Sequence, residues 1–306
     1  MLFRFIKKTP NINFIENRKI FFSLSLLLAL VSILSLWIKG LNFGIDFKGG
    51  LLVEAKFDKN IELENLRNTI YELKLGDFSI QGLDNSNDNF LIKIELSQEF
   101  KVDQAKLILE LKKSINKNFD SNVDYRRIEY VGPTVSSELI MTGIIAILMA
   151  IFSMLIYIWF RFELPFAIGA VIALVHDTIL TIGMFSISSL EFNLSTVAAI
   201  LLIIGYSMND TVVVYDRVRE NLKKFKKLDT FSLLNKSINE TLSRTINTTA
   251  TTILALLALF IFGGNIIKDF SLAMIWGIII GTYSSILIAT PILLNMNIRK
   301  VKETEE

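Results

Sequence analysis

The chain has 306 residues, of which 52% are hydrophobic, and its mean hydropathy of +0.49 is too high for an ordinary soluble domain. Several uncharged stretches of about 18 residues or more indicate a polytopic membrane protein. Because 32 basic residues are balanced by 30 acidic ones, nucleic acid is not an expected partner. The lack of cysteine excludes disulfides and thiolate metal sites, and the single histidine, His176, excludes a histidine-rich metal cage, so we expect no metal and no cofactor.

The first segment, residues 1–19, carries five basic residues ahead of an apolar stretch at residues 20–38. That stretch is long for the hydrophobic region of a signal peptide. It also ends in Trp37, Ile38 and Lys39, without the small residues of a cleavage site. We therefore predict an uncleaved first span that follows a cytoplasmic N-terminus.

Residues 39–138 mix charges with regularly spaced apolar residues, which predicts a folded aqueous domain. In chain order the patterns predict a strand at 51–57, a helix at 61–74, strands at 78–83 and 90–96, a helix at 102–115 and a strand within 122–131, with a turn at 84–89. The order βαββαβ is that of a ferredoxin-like α+β sandwich. Such a sheet with two helices on one face can bury its own core.

Five further spans are predicted at 139–160, 164–187, 192–215, 244–262 and 270–296, ahead of a tail at 297–306. The basic residues of the short loops lie on the side of the N-terminus, and the opposite side carries one lysine, Lys268. The positive-inside rule therefore predicts six transmembrane helices in the cytoplasmic (inner) membrane, with both termini cytoplasmic and the domain at 39–138 in the periplasm.

The fourth predicted span carries the clearest candidate site. It contains Ser207, Asn209 and Asp210, and a carboxyl group within a membrane helix costs about 2.5 to 3.5 kcal/mol unless it faces protein, water or a cation. Asp210 lies about five residues, or ~8 Å, from the cytoplasmic end of that span. Arg244 begins the next span at a similar depth and can pair with it. We predict that Asp210 and Arg244 form a proton relay, because water access or the distance of the arginine can decide whether the carboxyl holds a proton.

Polar residues on neighbouring spans form a possible secondary network. It consists of His176, Asp177, Ser207, Asn209, Asn247, Thr248 and Thr251. On the fifth span these residues share one helical face with Arg244, and on the third span a histidine and an aspartate add a titratable pair. Two alternatives remain open: Asp210 and Arg244 as a static salt bridge, and His176 with Asp177 as a hydrogen-bonded pair at a helix interface.

Five segments resemble the SecF family, the smaller half of the SecD/SecF protein-export complex. They are NFGIDFKGG after the first span, VGPTVSSEL before the second, VHDTILTIGMF in the third, GYSMNDTVVVYDRVREN in the fourth and LSRTINTTATT in the fifth. The resemblance runs from about residue 18 to residue 295 and keeps order and spacing. Two departures are Lys48, where the family often has a small polar residue, and Ser136, where glycine is common.

The resemblance implies the resistance-nodulation-division architecture, with a large outside loop between the first two spans. It also implies a subunit that uses the proton gradient to draw unfolded preproteins from the SecYEG channel, together with SecD and YajC. The membrane carboxyl and arginine of the family correspond here to Asp210 and Arg244.

Two other functions compete with this one. A proton-driven exporter of small molecules would share this architecture, but one small outside domain leaves little room for a substrate funnel. An intramembrane aspartyl protease needs two facing aspartates, and Asp177 with Asp210 meets that count, yet the sequence reads SMND where such proteases have GxGD. We therefore expect a transport subunit without covalent catalysis.

Overall fold

The structure is a computed structural model, and it describes residues 10–83, 87–96, 104–119, 122–296 and 298–299. Four predictions lie partly outside these residues: the basic N-terminal segment, the turn at 84–89, the start of the helix at 102–115 and the C-terminal tail. The chain forms two compact units, one made of Met1–Asn42 and Ile145–Glu306 and the other of Phe43–Ile144.

Six helices of the described chain are long and apolar enough to cross a membrane, as predicted. They are span 1, Arg18–Lys39; span 2, Pro133–Arg161; span 3, Leu164–Ser188; span 4, Leu194–Lys224; span 5, Thr230–Phe262; and span 6, Gly264–Ser284, which continues as a π-helix at Ser285–Ala289, a helical turn at Thr290–Ile292 and a 3₁₀ turn at Leu293–Asn295. Two-residue strands lie at Asn42–Phe43 and Glu191–Phe192. The chain is therefore a multi-pass membrane protein.

Spans 4 and 5 are longer than predicted, because span 4 continues beyond its apolar stretch to Lys224 and span 5 begins ahead of its apolar stretch at Thr230. Polar side chains join the two extensions: Asn221 donates to Ser237 at 3.0 Å and Arg217 pairs with Glu240 at 2.7 Å. The N-cap Asp229 accepts a hydrogen bond of 2.9 Å from the Ser232 amide, and this bond lowers the pKa of the Asp229 carboxyl. Charged residues thus do not mark the helix ends here.

Residues 12–15 lie against the amphipathic first half of span 5. The amide of Ile12 donates to Asn239 at 3.0 Å, and Asn235 donates to the Ile12 carbonyl at 3.0 Å. The amide of Ile15 donates to the same Asn235 side chain at 3.3 Å. Two asparagines therefore satisfy main-chain groups that no helix or strand supplies with partners.

The unit Phe43–Ile144 contains a four-stranded antiparallel sheet. Its elements are α1, Ile45–Lys48; β1, Gly50–Phe57; α2, Leu63–Glu72; β2, Phe78–Gly82; β3, Asn89–Glu95; α3, Gln104–Asn118; and β4, Val123–Val131. The strand order is β2-β3-β1-β4, and Val53 lies opposite both Ile92 and Ile128. Alternate apolar residues of β1 pack on buried residues of α2 and α3, including Leu66 and Leu111, and form one core.

Two glycines lie at the start of strand β1, Gly49 just before it and Gly50 as its first residue. Gly49 has a φ of 81° and Gly50 a φ of 157°, and a Cβ atom on Gly50 would lie 2.3 Å from the carbonyl oxygen of Ile94. A side chain at Gly50 would separate β1 from β3, so glycine is required there. The adjacent Lys48 forms an exposed salt bridge of 2.7 Å with Glu95.

Spans 3, 4 and 6 form the interior of the helical bundle. In the most apolar 18-residue stretch of each helix, 56% of the residues are buried in spans 3 and 4 and 61% in span 6. The buried share is 11% in spans 1 and 5 and 6% in span 2. Span 4 packs on span 6 through a G-x-x-x-G sequence. A Cβ atom on Gly277 would lie 2.2 Å from Ile203, and one on Gly281 would lie 2.8 Å from Ser207. Side chains of span 4 therefore lie directly against the backbone of span 6 at these two glycines.

Candidate functional site

Asp210 faces span 6 from the middle of the bundle. Its side chain is only 3% exposed, and Thr282 of span 6 donates a hydrogen bond of 3.4 Å to its Oδ2. The Thr282 hydroxyl lies 2.8 Å from the hydroxyl of Thr249 on span 5. A short series of hydroxyl groups thus leads from span 5 through span 6 to the carboxyl of span 4.

Arg244 does not contact Asp210. The arginine lies on the exposed face of span 5, and within the described chain it forms no ion pair with the carboxylate. The static salt bridge considered from the sequence is therefore not formed in this conformation, since Asp210 turns toward span 6 and Arg244 turns outward.

Asp177 lies where spans 3, 4 and 6 meet, and it is 1% exposed. Its Oδ2 accepts hydrogen bonds from Ser207 of span 4 at 2.7 Å and from Ser284 of span 6 at 2.8 Å. Its Oδ1 lies 3.1 Å from Nδ1 of His176. One carboxylate therefore joins three helices through two hydroxyl groups, whereas the contact with His176 lies within span 3 and does not cross the helix interface considered from the sequence.

Two polar atoms beside this carboxylate are left without partners. His176 Nε2 and Tyr283 Oη are buried, and neither forms a hydrogen bond with any described residue. The two rings lie 5.8 Å apart between centroids. Buried polar atoms of this kind usually bind a water molecule or exchange protons.

The other predicted polar residues form no hydrogen bond with either carboxylate within the described part of the chain. Asn209 is exposed, and Asn247 Oδ1 is buried without a hydrogen-bond partner in the described chain. Thr248 and Thr251 donate to carbonyl groups of their own helix, as threonines in membrane helices commonly do. A Cβ atom on Gly205 would meet nothing within 4 Å, so no close backbone approach occurs there.

The hydroxyl side chains of span 6 that form hydrogen bonds at this site were not predicted. Thr282, Ser284 and Ser285 belong to the run Thr-Tyr-Ser-Ser within an apolar helix, and this run is the signal that could have identified them. The Ser285 hydroxyl lies 2.7 Å from that of Thr211 on span 4. The π-helix begins at Ser285, six residues before Pro291, whose ring cannot fit an unbroken α-helix.

The distance along the chain between paired residues is constant in this interface. Thr211 pairs with Ser285 and Tyr215 with Ala289, each 74 residues apart. Ile203 with Gly277 and Ser207 with Gly281 keep the same offset. Spans 4 and 6 are therefore parallel, and every fourth residue of one meets every fourth residue of the other.

Comparison with known proteins agrees with these features. Over 290 residues the chain is 44% identical to protein translocase subunit SecF of Rickettsia felis, covering 95% of this chain and 93% of the relative. SecF of Rickettsia bellii is also 44% identical, with 95% of both chains covered. The chain belongs to the SecF family.

Two family models match parts of this chain. The model described as protein export membrane protein SecD/SecF, C-terminal, matches residues 111–299, and the SecD/SecF GG motif matches residues 34–61. The GG motif contains Gly49, whose positive φ favours glycine, and Gly50, where the strand geometry requires it. The SecF resemblance of the five segments is confirmed, and the chain is an accessory subunit of the Sec protein translocase.

Two solved structures share the fold of this SecF chain. A crystal structure of SecDF from Thermus thermophilus, described as a translocon-associated membrane protein, matches with a TM-score of 0.81 and 35% identity over 94% of this chain. SecDF in a super-membrane-facing form matches with a TM-score of 0.70 and 35% identity over 97% of this chain. The SecF chain spans 38% and 40% of those longer chains.

Proposed function

We propose that this subunit uses the proton motive force to promote late steps of preprotein export, with Asp210 and Arg244 as its proton relay. One observation carries the proposal: Asp210 is buried in a membrane-spanning helix, and among described residues only the neutral hydroxyl of Thr282 bonds to its carboxylate. A charged carboxylate in such a place is costly unless a cation or water reaches it. Protonation removes that cost, and contact with Arg244 would offset it.

The relay therefore has two arrangements that differ in where the proton is. In one, Asp210 holds a proton and Arg244 stays apart, as the observed exposure of the arginine suggests. In the other, the carboxylate has lost its proton and attracts the guanidinium. A proton that crosses a potential of 100 mV releases about 2.3 kcal/mol, so a few protons supply enough free energy to move a helix or a domain.

The remaining polar residues support the relay to different degrees. The carboxylate of Asp177 contacts both His176 and Ser207. These three residues therefore form the nearest part of the proposed secondary network. Asn209, Asn247, Thr248 and Thr251 lie at its edge, and we propose that they act only when water or a partner helix reaches them. No covalent chemistry is proposed for any of these groups.

We propose SecD as the direct partner, and SecYEG, YajC and an unfolded preprotein as further partners in the membrane. Spans 1, 2 and 5 leave most of their apolar surface outside the chain's own core, which suits a companion membrane subunit and lipid. The similar solved chains, named SecDF, are more than twice as long as this one, which fits a joined second half.

The orientation follows from charge. We propose that both termini and the connection between spans 4 and 5 are cytoplasmic, and that the domain at residues 39–138 is periplasmic, because the basic residues of short loops share the side of the N-terminus. The strand order β2-β3-β1-β4, with two helices packed on one core, supports a ferredoxin-like sandwich for that domain.

The relay is tested by Asp210→Asn and Arg244→Met, with Asp216→Asn as a matched control on the same helix. Asp216 is about half exposed and pairs with Arg161 at the membrane edge. Export of a secretory protein into inverted vesicles is measured with and without a proton gradient, and assembly is measured by copurification. We expect both relay variants to assemble normally and to lose the gradient-dependent part of export, whereas the control keeps it. Gradient-dependent export by Asp210→Asn would refute the proposal.

A further inference from the structure

We propose that Asp177 is a positioning residue, which ties span 4 to span 6 through Ser207 and Ser284 and so places Asp210 against Thr282. The importance of that placement for export rests on the proposed relay. The tie itself is a structural claim that can be tested without it.

The tie lies close to the relay along both helices. Ser207 precedes Asp210 by three residues, and Ser284 follows Thr282 by two. At 1.5 Å per residue, the two hydrogen bonds to Asp177 therefore lie within about 5 Å of the Asp210–Thr282 bond along the helix axes. Since both serines bind the same carboxylate oxygen, neither helix can slide or turn past the other without breaking a bond to Asp177.

The surroundings of Asp177 indicate that its side chain serves as a hydrogen-bond acceptor for the two serines. The titratable groups that face it are His176 on its own helix and Tyr283 on span 6, and it forms no ion pair with a lysine or arginine of the described chain. Both serine hydroxyls need only an oxygen with two lone pairs. An asparagine can supply that oxygen and turn its amide toward Nδ1 of a neutral His176.

The substitution Asp177→Asn therefore separates the two possible roles of Asp177. A positioning residue keeps its function in this variant, because the amide oxygen still accepts both hydroxyl groups, whereas a proton carrier loses its function. Leucine has a similar volume but no acceptor, so Asp177→Leu removes the tie. The double variant Ser207→Ala/Ser284→Ala removes it from the other side and leaves the carboxylate in place.

The register of spans 4 and 6 can be read by disulfide formation, because the natural chain has no cysteine. The pair Ile203→Cys and Gly277→Cys suits this purpose, since the shortened side chain at 203 makes room for the new Cβ atom at 277. The full chain is oxidised in membranes together with its partner subunits. We expect disulfide yield to be unchanged in Asp177→Asn and to fall about tenfold in Asp177→Leu and in the double serine variant.

Ser271→Ala is the matched control for the serine substitutions. Ser271 is buried on span 6, but its hydroxyl has no hydrogen-bond partner among described residues. Its removal should leave both disulfide yield and export unchanged. If Asp177→Leu fails to accumulate in the membrane, the double serine variant decides the question.

Gradient-dependent export completes the test. We expect Asp177→Asn to keep more than half of it and Asp177→Leu to lose it about tenfold. Loss of export in Asp177→Asn with normal disulfide yield would overturn the proposal, because Asp177 would then carry a proton. Normal yield in both Asp177→Leu and the double serine variant would also overturn it. Normal export by Asp210→Asn would refute the relay alone, since the disulfide yield does not depend on export.

Discussion

Tyr215 donates a hydrogen bond of 3.0 Å to the carbonyl oxygen of Ala289, the last residue of the π-helix in span 6. The tyrosine is fully buried, and a Cβ atom on Gly169 of span 3 would lie 2.6 Å from its hydroxyl oxygen. Three spans therefore converge on one phenol group. The bond satisfies a carbonyl near the point where Pro291 interrupts the helical hydrogen-bond pattern.

Replacing Tyr215 by phenylalanine should destabilise the bundle. Tyr215→Phe removes the hydrogen bond of a buried phenol to the Ala289 carbonyl, which costs about 0.5 to 1.5 kcal/mol. We expect a lower midpoint of thermal unfolding in detergent, with the ring contacts to Phe162 and Phe166 retained. An unchanged midpoint would mean that water or another donor already serves that carbonyl.

Removing the hydroxyl of Thr282 should weaken proton-driven export while the fold is retained. Thr282→Val has nearly the same shape but cannot donate to Asp210, and the lost bond changes the relative stability of the charged carboxylate by about 1 to 2 kcal/mol. We expect gradient-dependent export to fall several-fold. Thr178→Val is the control, because the Thr178 hydroxyl bonds only to Leu174 of its own helix in the described structure. Equal export by the two variants would exclude a role for the Thr282 hydroxyl.

Spans 1 and 3 should tolerate no side chain at Gly183. A Cβ atom there would lie 2.2 Å from Cβ and 2.9 Å from Cα of Ser32, so Gly183→Ala should cost about 1 to 3 kcal/mol. Ser32→Gly should restore most of that loss when the two changes are combined, with a coupling energy of about 1 kcal/mol or more. Gly205→Ala, which meets open space, should be neutral or stabilising by up to ~1 kcal/mol. Thermal unfolding of the four variants measures these values, and additive effects would contradict the contact.

Alkaline pH should destabilise the unit Phe43–Ile144 through Tyr125. Burial raises the pKa of the Tyr125 phenol from 10.0 to about 12, so the folded state keeps a proton that the unfolded state loses. This contribution to stability is complete below pH 10 and disappears as the pH rises toward 12. The phenol also donates to Asn116 at 3.3 Å, which a phenolate cannot do.

The measurement compares the natural chain with Tyr125→Phe. The melting temperature of the sheet-containing unit, followed by circular dichroism, should fall more steeply between pH 10 and pH 12 in the natural chain, because phenylalanine has no proton to lose. Parallel pH profiles for the two proteins would show that Tyr125 ionises as freely in the folded state as in the unfolded one.

The membrane helices were predictable from the sequence, because the hydrophobic residues that cause each one lie within a single continuous segment. Six apolar helices and the family followed from runs of hydrophobic residues and from five ordered motifs. The helix ends near Lys224 and Thr230 were missed because charged residues were taken as the end of helix. In the structure Arg217 and Glu240 neutralise each other between two adjoining helices, which local sequence does not reveal.

The pairing of polar groups across helices was harder to predict. Thr282 and Ser284 contact the two carboxylates, but hydroxyl residues in membrane helices bond as often to their own backbone, as Thr251 does. Which face of a helix meets a neighbour depends on rotation about its axis, and spacing within one helix leaves that angle undetermined. For the same reason the sequence placed Arg244 within reach of Asp210 but could not decide whether they touch.

The constant offset between spans 4 and 6 means that any sliding between them, once the bonds to Asp177 are broken, would proceed in discrete steps. Because both contacting rows repeat every fourth residue, a shift of about 6 Å along the axis would bring Gly281 opposite Ile203 and Ser285 opposite Ser207. A smaller shift would press the isoleucines between the two glycines of span 6 against Ile203. Sliding at this interface would thus occur in steps of about one helical turn. If a cysteine pair introduced at Ile203 and Gly281 never forms a disulfide during active export, such sliding does not occur.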